Sequence, residues 1–75
     1  MDVLDKLKLM INQQFNIDMN NIDEATTFED LGLDSLVFLE FIMAIEEEYD
    51  VNISDEVAAG FKRVGQIADY LNNIL

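Results

Sequence analysis

Ser35 is the residue of this chain best placed for chemistry, within the segment Gly32-Leu33-Asp34-Ser35-Leu36. A serine becomes a catalytic nucleophile only when a nearby base activates its hydroxyl. The chain has no His and no Cys, and its lysines lie far from Ser35 along the sequence. The segment also departs from the Gly-x-Ser-x-Gly turn of serine hydrolases. The sequence therefore predicts that this chain is not an enzyme by itself.

The charge balance narrows the kinds of partner that the chain can bind. Sixteen Asp and Glu residues against four Lys and Arg residues give a formal net charge of −12. Such a charge repels nucleic acid and anionic membranes and favours basic protein surfaces. The run Glu46-Glu47-Glu48 is typical of a solvated helix face. We therefore expect basic protein partners, no binding to nucleic acid and no insertion into a membrane.

Two loops rich in Asp and Asn partly match the calcium-binding loop of EF-hands. Asn16, Asp18 and Asn20 occupy the first, third and fifth positions of such a loop. Asn21 stands where the loop requires Gly, and Thr27 stands where it requires a bidentate Glu. A second loop, which begins at residue 50, fails at the same two positions. The sequence predicts no specific metal site, and an acidic calcium-responsive protein is kept as an alternative.

Helical periodicity predicts one all-α domain, residues 1–75, with three main helices and one short helix. Asp34 or Ser35 can cap the second main helix by accepting a hydrogen bond from its first turn. A long loop, residues 15–33, precedes this helix, and isolated apolar residues are expected to anchor the loop. The first helix is predicted over residues 2 to about 14, the second from its cap to about residue 49, and a short helix over 55–60. Apolar residues between 64 and 74 mark the last helix. The predicted loop anchors are Ile17, Ile22, Phe28 and Leu31.

The helix that follows Ser35 has two different faces. Its core spacing includes Phe38, Phe41, Ile42, Ile45 and Tyr49. Leu36, Glu40, Met43 and Glu47 follow one another at four, three and four residues on another face. Val64, Ile67, Ala68, Leu71 and Ile74 mark a final amphipathic helix.

Several segments in register carry a resemblance to a known family. They are Leu31-Gly32-Leu33-Asp34-Ser35-Leu36, Glu40, the run from Met43 to Asp50, Ile53-Ser54-Asp55-Glu56, and the run from Gln66 to Leu71. Over nearly its whole length the chain resembles acyl carrier proteins of the free-standing, dissociated type. The resemblance implies a small acyl-carrier-like helical bundle that holds acyl intermediates as thioesters.

The resemblance also implies a cofactor and its site. In the family, the serine of the Asp-Ser-Leu motif receives 4′-phosphopantetheine from coenzyme A, which assigns that role to Ser35. Asp34 then belongs to the surface read by the phosphopantetheinyl transferase, although a plain helix cap explains both residues as well. A helix start favours the attached phosphate because its free N–H groups and helix dipole attract an anion.

By the same resemblance, the exposed face of this helix docks successive enzymes. The assigned docking residues are Leu36, Val37, Glu40, Met43 and Glu47. The expected partners are acyl-transfer, condensing and other pathway enzymes whose basic surfaces meet these carboxylates. A solvated face with a few stray apolar residues is the alternative.

Fatty acid biosynthesis is the preferred pathway, and a specialised polyketide or nonribosomal peptide pathway is the alternative. Carriers of the fatty-acid type commonly have Asp after the Asp-Ser-Leu motif, where this chain has Val37. Ser54 stands where the family often has Pro. An acidic adaptor without a prosthetic group is an alternative of another class, in which Ser35→Ala would leave function unchanged.

The remaining expectations concern the setting of the protein. The chain has no Cys, no basic and apolar leader and no long apolar run, so we expect a cytoplasmic monomer. Phe38, Phe41 and Phe61 are candidates to line a space for the acyl chain.

Overall fold

The computed structural model describes residues 2–75 as a bundle of four α-helices with one short 3-10 helix. The helices are α1 (Val3–Phe15), the 3-10 helix (Met19–Asn21), α2 (Ser35–Tyr49), α3 (Asp55–Ala59) and α4 (Val64–Ile74). Among these described residues there is no β-strand, and a single antiparallel bridge joins Thr27 to Arg63. The all-α bundle with three main helices and one short helix is confirmed.

Local chemistry sets the helix ends. Asp2 caps α1 by accepting a hydrogen bond from the Asp5 amide at 2.8 Å, so the helix begins one residue later than predicted. The first two long helices each stop at a residue in the left-handed conformation, Asn16 with φ 57° and Asp50 with φ 53°. Asn and Asp tolerate this conformation better than most side chains do, which makes them effective helix ends.

The core lies where the buried faces of the helices and the long loop meet. Its buried members are Leu7, Ile11, Ile22, Phe28, Phe41, Ile42, Ile45, Ile53, Ala58, Val64, Ile67, Ala68 and Leu71. Phe41 is fully buried and contacts two other rings, with centroid separations of 5.9 Å to Phe15 and 6.3 Å to Phe28. Aromatic contacts of this kind add to the stability gained from burial alone.

Three details of packing and helix content differ from what the sequence indicated. Ile74 belongs to the apolar stripe that marks the final helix but is 46% exposed, because it is the last residue of α4 and lies past the last buried position, Leu71. Phe15 was assigned to the loop but ends α1. The loop itself contains the short 3-10 helix, which Asp18 caps by accepting a hydrogen bond from the Asn20 amide at 2.9 Å.

The long loop before α2 is fastened to the start of α4. The Phe28 amide donates to the Lys62 carbonyl at 3.1 Å, and the Gly65 amide donates to the Glu24 carbonyl at 2.9 Å. The loop and the start of α4 approach so closely that a β-carbon added at Gly65 would lie 2.8 Å from the Glu24 carbonyl oxygen. The loop therefore holds the start of α2 in a fixed place despite its length.

The connection from α2 to α3 is held by a side chain. Glu46 is half-buried, and its carboxylate accepts a hydrogen bond from the Ile53 amide at 2.9 Å. The expectation that residues 46–48 form one solvated acidic run is therefore wrong for Glu46. Separately, no helix within residues 2–75 combines the length and apolar character needed to cross a membrane.

Candidate functional site

The start of α2 is built around Asp34, which is the residue before the helix. Its Oδ1 accepts a hydrogen bond from the Val37 amide at 2.9 Å, and its carbonyl accepts from the Phe38 amide at 2.8 Å. Of the two candidate caps, Asp34 is therefore the one used. Ser35 becomes the first residue of the helix, and its hydroxyl is not needed for capping.

A tight turn leads into this helix start. Gly32 has φ 76°, a conformation that side chains with a β-carbon rarely adopt, and its amide donates to the Glu29 carbonyl at 2.9 Å. The Leu33 amide then donates to the Phe28 carbonyl at 3.1 Å. Phe28 is buried and packs on Phe38 of α2 with a centroid separation of 4.8 Å. The turn therefore fixes where Asp34 and the following serine lie.

Ser35 is exposed and lies at the meeting point of two open grooves. The first groove, of about 630 Å³, runs between the turn and the segment before α4. The second groove, of about 460 Å³, runs between α2 and α3. Both are lined by Ser35, Phe38, Phe61 and Lys62. A group attached to the Ser35 hydroxyl would have an apolar surface on either side.

The three phenylalanines that were candidates to line a space for the acyl chain fall into two sets. Phe38 and Phe61 line both grooves. Phe41 lines neither, because it is fully buried in the core. Lys62 lines both grooves as well and was not predicted from the sequence. The only signal for Lys62 in the sequence was its position next to Phe61. Lys62 lies near Ser35 because segments that are distant in sequence pack together.

The face of α2 assigned to docking is largely exposed. Leu36 is 68% exposed and Met43 is 65% exposed, values that are high for large apolar side chains. Glu40 and Glu47 are exposed beside them. The structure thus places these four residues together on one accessible surface.

Two positions on α2 differ from the assignment. Val37 is half-buried rather than exposed, because it lies one helical turn before the buried Phe41. Leu39 was missed, and its side chain is 42% exposed. Its spacing of three residues from Leu36 and four from Met43 was the signal that could have placed it on the docking face.

The acidic side chains show no arrangement typical of a metal centre. No group of three or more Asp and Glu residues within residues 2–75 is placed to hold a metal ion. Asp18 and Asp23 instead accept hydrogen bonds from nearby amides of their own loop. Their role in the structure is local turn formation.

The ion pair found in the described part of the chain lies at the other end of α2. Lys6 contacts Glu48 at 2.6 Å, and this hydrogen bond, followed by the Glu48 charge, raises the pKa of Lys6. Burial raises the pKa of the neighbouring Tyr49. Lys6 lies on α1, and Glu48 and Tyr49 lie at the opposite end of α2 from Ser35, so we assign this contact to the stability of the bundle.

The chain is similar to known proteins over most of its length. Residues 5–71 match the family model described as phosphopantetheine attachment site. A Clostridium perfringens protein (strain SM101) named acyl carrier protein is 44% identical over 70 residues, which is 92% of each chain.

Two further relatives carry the same name. The one from Thermosynechococcus vestitus is 41% identical over 73 residues, covering 96% of this chain and 90% of the relative. The one from Buchnera aphidicola subsp. Schizaphis graminum is 45% identical over 69 residues, covering 91% and 87%. The similarity therefore extends over most of both chains rather than over an isolated motif.

Proposed function

The chain belongs to the acyl carrier protein family, and on that premise we propose that Ser35 is the residue that holds its prosthetic arm. Membership makes the chain a carrier rather than an enzyme, with covalently attached 4′-phosphopantetheine as its cofactor. A phosphopantetheinyl transferase and the enzymes of an acyl pathway are its general partners. The arm supplies the thiol on which acyl groups are carried as thioesters.

The residues around Ser35 fit a phosphate-bearing arm. The hydroxyl is exposed and is free because Asp34 caps the helix in its place. The first turn of α2 offers N–H groups and the positive end of the helix dipole to an attached anion. The grooves on both sides present Phe38 and Phe61 to apolar parts of the arm. The chain has no Cys, so it contains no thiol of its own.

The chain's own residues have positioning roles in this proposal. Ser35 presents its hydroxyl as the acceptor, and the transferase provides the catalytic groups. Asp34 fixes the first turn of α2 through its hydrogen bond to the Val37 amide. Gly32 shapes the turn so that Asp34 can cap α2 while Phe28 stays packed in the core. The observation that carries the proposal is the exposed, uncommitted hydroxyl at a rigid helix start.

The chain's two serines allow a sharp test of the site. The wild type, Ser35→Ala and Ser54→Ala are incubated with coenzyme A, Mg²⁺ and a phosphopantetheinyl transferase, and intact masses are measured. Ser54 is the matched control, because it also stands at a helix start and is exposed. We expect one phosphopantetheine on the wild type and on Ser54→Ala, and none on Ser35→Ala.

A gain of mass in Ser35→Ala would overturn the assignment of the site. Failure of the folded wild type to gain mass with several transferases would favour an acidic adaptor that keeps the fold but lacks the arm. Circular dichroism of each variant shows whether the helical bundle is intact.

We further propose that the exposed face of α2 docks the partner enzymes. Leu36 and Met43 offer apolar contacts, and the carboxylates of Glu40 and Glu47 surround them. Carboxylates on such a rim speed encounter with basic surfaces and make the complexes sensitive to salt. A carrier that visits several enzymes needs such fast and short-lived complexes.

The docking face is tested by charge reversal. We expect Glu40→Lys to lower the rate constant of phosphopantetheine transfer roughly tenfold at low salt, with a smaller effect at high salt. Asp69→Lys makes the same change of charge at an exposed position of α4 and serves as the control. Equal losses in the two variants would indicate that net charge, rather than this face, governs docking.

Fatty acid biosynthesis in the cytoplasm is the pathway and location that we propose. The unqualified name shared by the relatives supports this pathway. A polyketide or nonribosomal peptide pathway is the second candidate, because Val37 supplies an apolar residue directly after Asp-Ser-Leu. Malonyl loading and elongation of the carrier by fatty-acid synthase enzymes would support the first. Exclusive loading by an adenylating or polyketide enzyme would support the second.

A further inference from the structure

Lys62 is held at the site through its backbone, which leaves its side chain free. Its carbonyl accepts the hydrogen bond from the Phe28 amide at 3.1 Å, and its amide donates to Gln66 Oε1 at 2.6 Å. The residue is exposed. Because both hydrogen bonds use backbone atoms, a substitution of the side chain leaves them in place.

Lys62 is the basic residue that lines the two grooves beside Ser35. The other charged residues of these linings are acidic: Glu29 and Asp34 in the first groove, and Asp55 in the second. The carboxylate of Asp34 is already engaged by the Val37 amide. Within residues 2–75, no ion pair involves Lys62. Its ammonium group is therefore available to a further anion.

The other basic side chains of the chain have different surroundings. Lys6 is paired with Glu48, and Lys8 lies on α1. Arg63 lines a separate cavity beside Glu24 and Asp69. Lys62 is thus the basic residue shared by the surfaces on both sides of the Ser35 hydroxyl.

An arm attached to Ser35 adds a negatively charged phosphodiester to an already acidic region. Glu29 and Asp55 oppose that charge, whereas an ammonium group attracts it and donates hydrogen bonds to its oxygens. We propose that Lys62 is a positioning residue that pairs with the phosphate of the arm and biases the arm towards the grooves beside Phe61. This inference rests on the proposed role of Ser35, and it adds a residue of this chain to that role.

Lysine acetylation in apo and holo protein tests the pairing. After the arm thiol is capped with iodoacetamide, both forms receive a limiting acetylating reagent, and each lysine is quantified by peptide mass spectrometry. A paired ammonium reacts slowly, and exposed ion pairs of this kind give roughly a two- to fivefold effect. We expect that much protection of Lys62 in the holo form, no change at Lys8, and loss of the protection in about 1 M NaCl.

Phosphorus NMR of the holo protein provides an independent readout. Lys62→Gln should move the phosphodiester resonance, and Lys8→Gln, which removes the same charge elsewhere, should leave it unchanged. Equal acetylation of Lys62 in both forms, or protection that persists in high salt, would overturn the pairing. Unchanged phosphorus spectra in both variants would do so too.

The mass measurement on Ser35 separates this inference from the proposed function. Mass gain at Ser35 without protection of Lys62 would remove the inference and leave the function standing. Absence of mass gain at Ser35 would overturn both, because no phosphate would then lie beside Lys62.

Discussion

The chain's two serines stand at two helix starts that look alike in sequence and differ in structure. At α3, Ser54 is the residue before the helix, and its hydroxyl accepts a hydrogen bond from the Val57 amide at 3.2 Å. At α2, Asp34 has that position and that role, and Ser35 comes one residue later. A shift of one residue therefore commits one hydroxyl to the helix and leaves the other available for modification.

The two helix starts also differ in how they are held. The loop before α2 is fastened to α4 through backbone hydrogen bonds and the close approach of Gly65 to Glu24. The short connection before α3 is fastened to α2 through the carboxylate of Glu46. The start of α2 thus rests on backbone contacts, and the smaller helix depends on one charged side chain.

The largest expected effect on stability is that of breaking the α3 anchor. Glu46→Ala removes the half-buried carboxylate that accepts from the Ile53 amide, and hydrogen bonds to charged groups contribute about 1.5–3 kcal/mol. Glu47→Ala removes the same charge from the exposed neighbouring position and should change the free energy of unfolding by less than about 0.5 kcal/mol. Urea unfolding of the two variants measures the difference. Equal stabilities would show that this hydrogen bond contributes nothing.

The α2 anchor is tested by two glycine substitutions with opposite expected signs. Gly65→Ala places a β-carbon 2.8 Å from the Glu24 carbonyl, and such overpacking costs about 1–3 kcal/mol. Gly60→Ala meets only the Val57 carbonyl at 3.4 Å, in a right-handed helical conformation, and should gain about 0.4–1 kcal/mol. Thermal unfolding followed by circular dichroism distinguishes them. Similar melting temperatures would contradict the proposed role of Gly65.

The two serines themselves give a smaller, crossed pattern. Ser54→Ala should lower the free energy of unfolding by about 1 kcal/mol, because it removes a helix cap. Ser35→Ala should change it by less than about 0.5 kcal/mol, because its hydroxyl makes no capping bond. Phosphopantetheine transfer should show the reverse order of effects. A loss of stability in Ser35→Ala as large as that in Ser54→Ala would remove the distinction between the two hydroxyls.

The smallest expected effect lies at the far end of α2 and depends on pH. The pKa values of Lys6 and Tyr49 are raised in the folded chain. Their contribution to the free energy of unfolding is therefore complete below their unfolded pKa values, near pH 10. It is lost as the pH rises through the raised values. We expect the melting temperature to fall above about pH 10, less steeply in Lys6→Gln than in Lys8→Gln. Parallel curves for the two variants would exclude a specific role for the Lys6–Glu48 pair.

Much of the fold was predictable because its helices are strongly patterned. The four predicted α-helices are present with ends shifted by at most one residue, since apolar spacing and the capping residues act locally. The 3-10 helix was missed, because three residues carry too little periodicity to predict it. The exposure of Ile74 was not visible, because periodicity cannot tell where the neighbouring core ends.

The candidate site was predictable only in part. The choice of Ser35 as the candidate attachment residue and the exposure of Leu36 and Met43 follow from motif and spacing. The partial burial of Glu46 and the place of Lys62 were not visible, because each depends on a contact with a segment outside its own helix or turn. Glu46 accepts a hydrogen bond from the connection before α3, and Lys62 is positioned by the loop that contains Phe28.

The sequence by itself determined the helix pattern, the acidic surface, the absence of an internal thiol and the motif around Ser35. Each of these is a property of composition or of residues close together along the chain. The tertiary structure decided that Phe41 lies away from the two grooves and that Lys62 lies beside the serine. These outcomes depend on which distant segments pack together, and packing is settled by the whole bundle rather than by any local pattern.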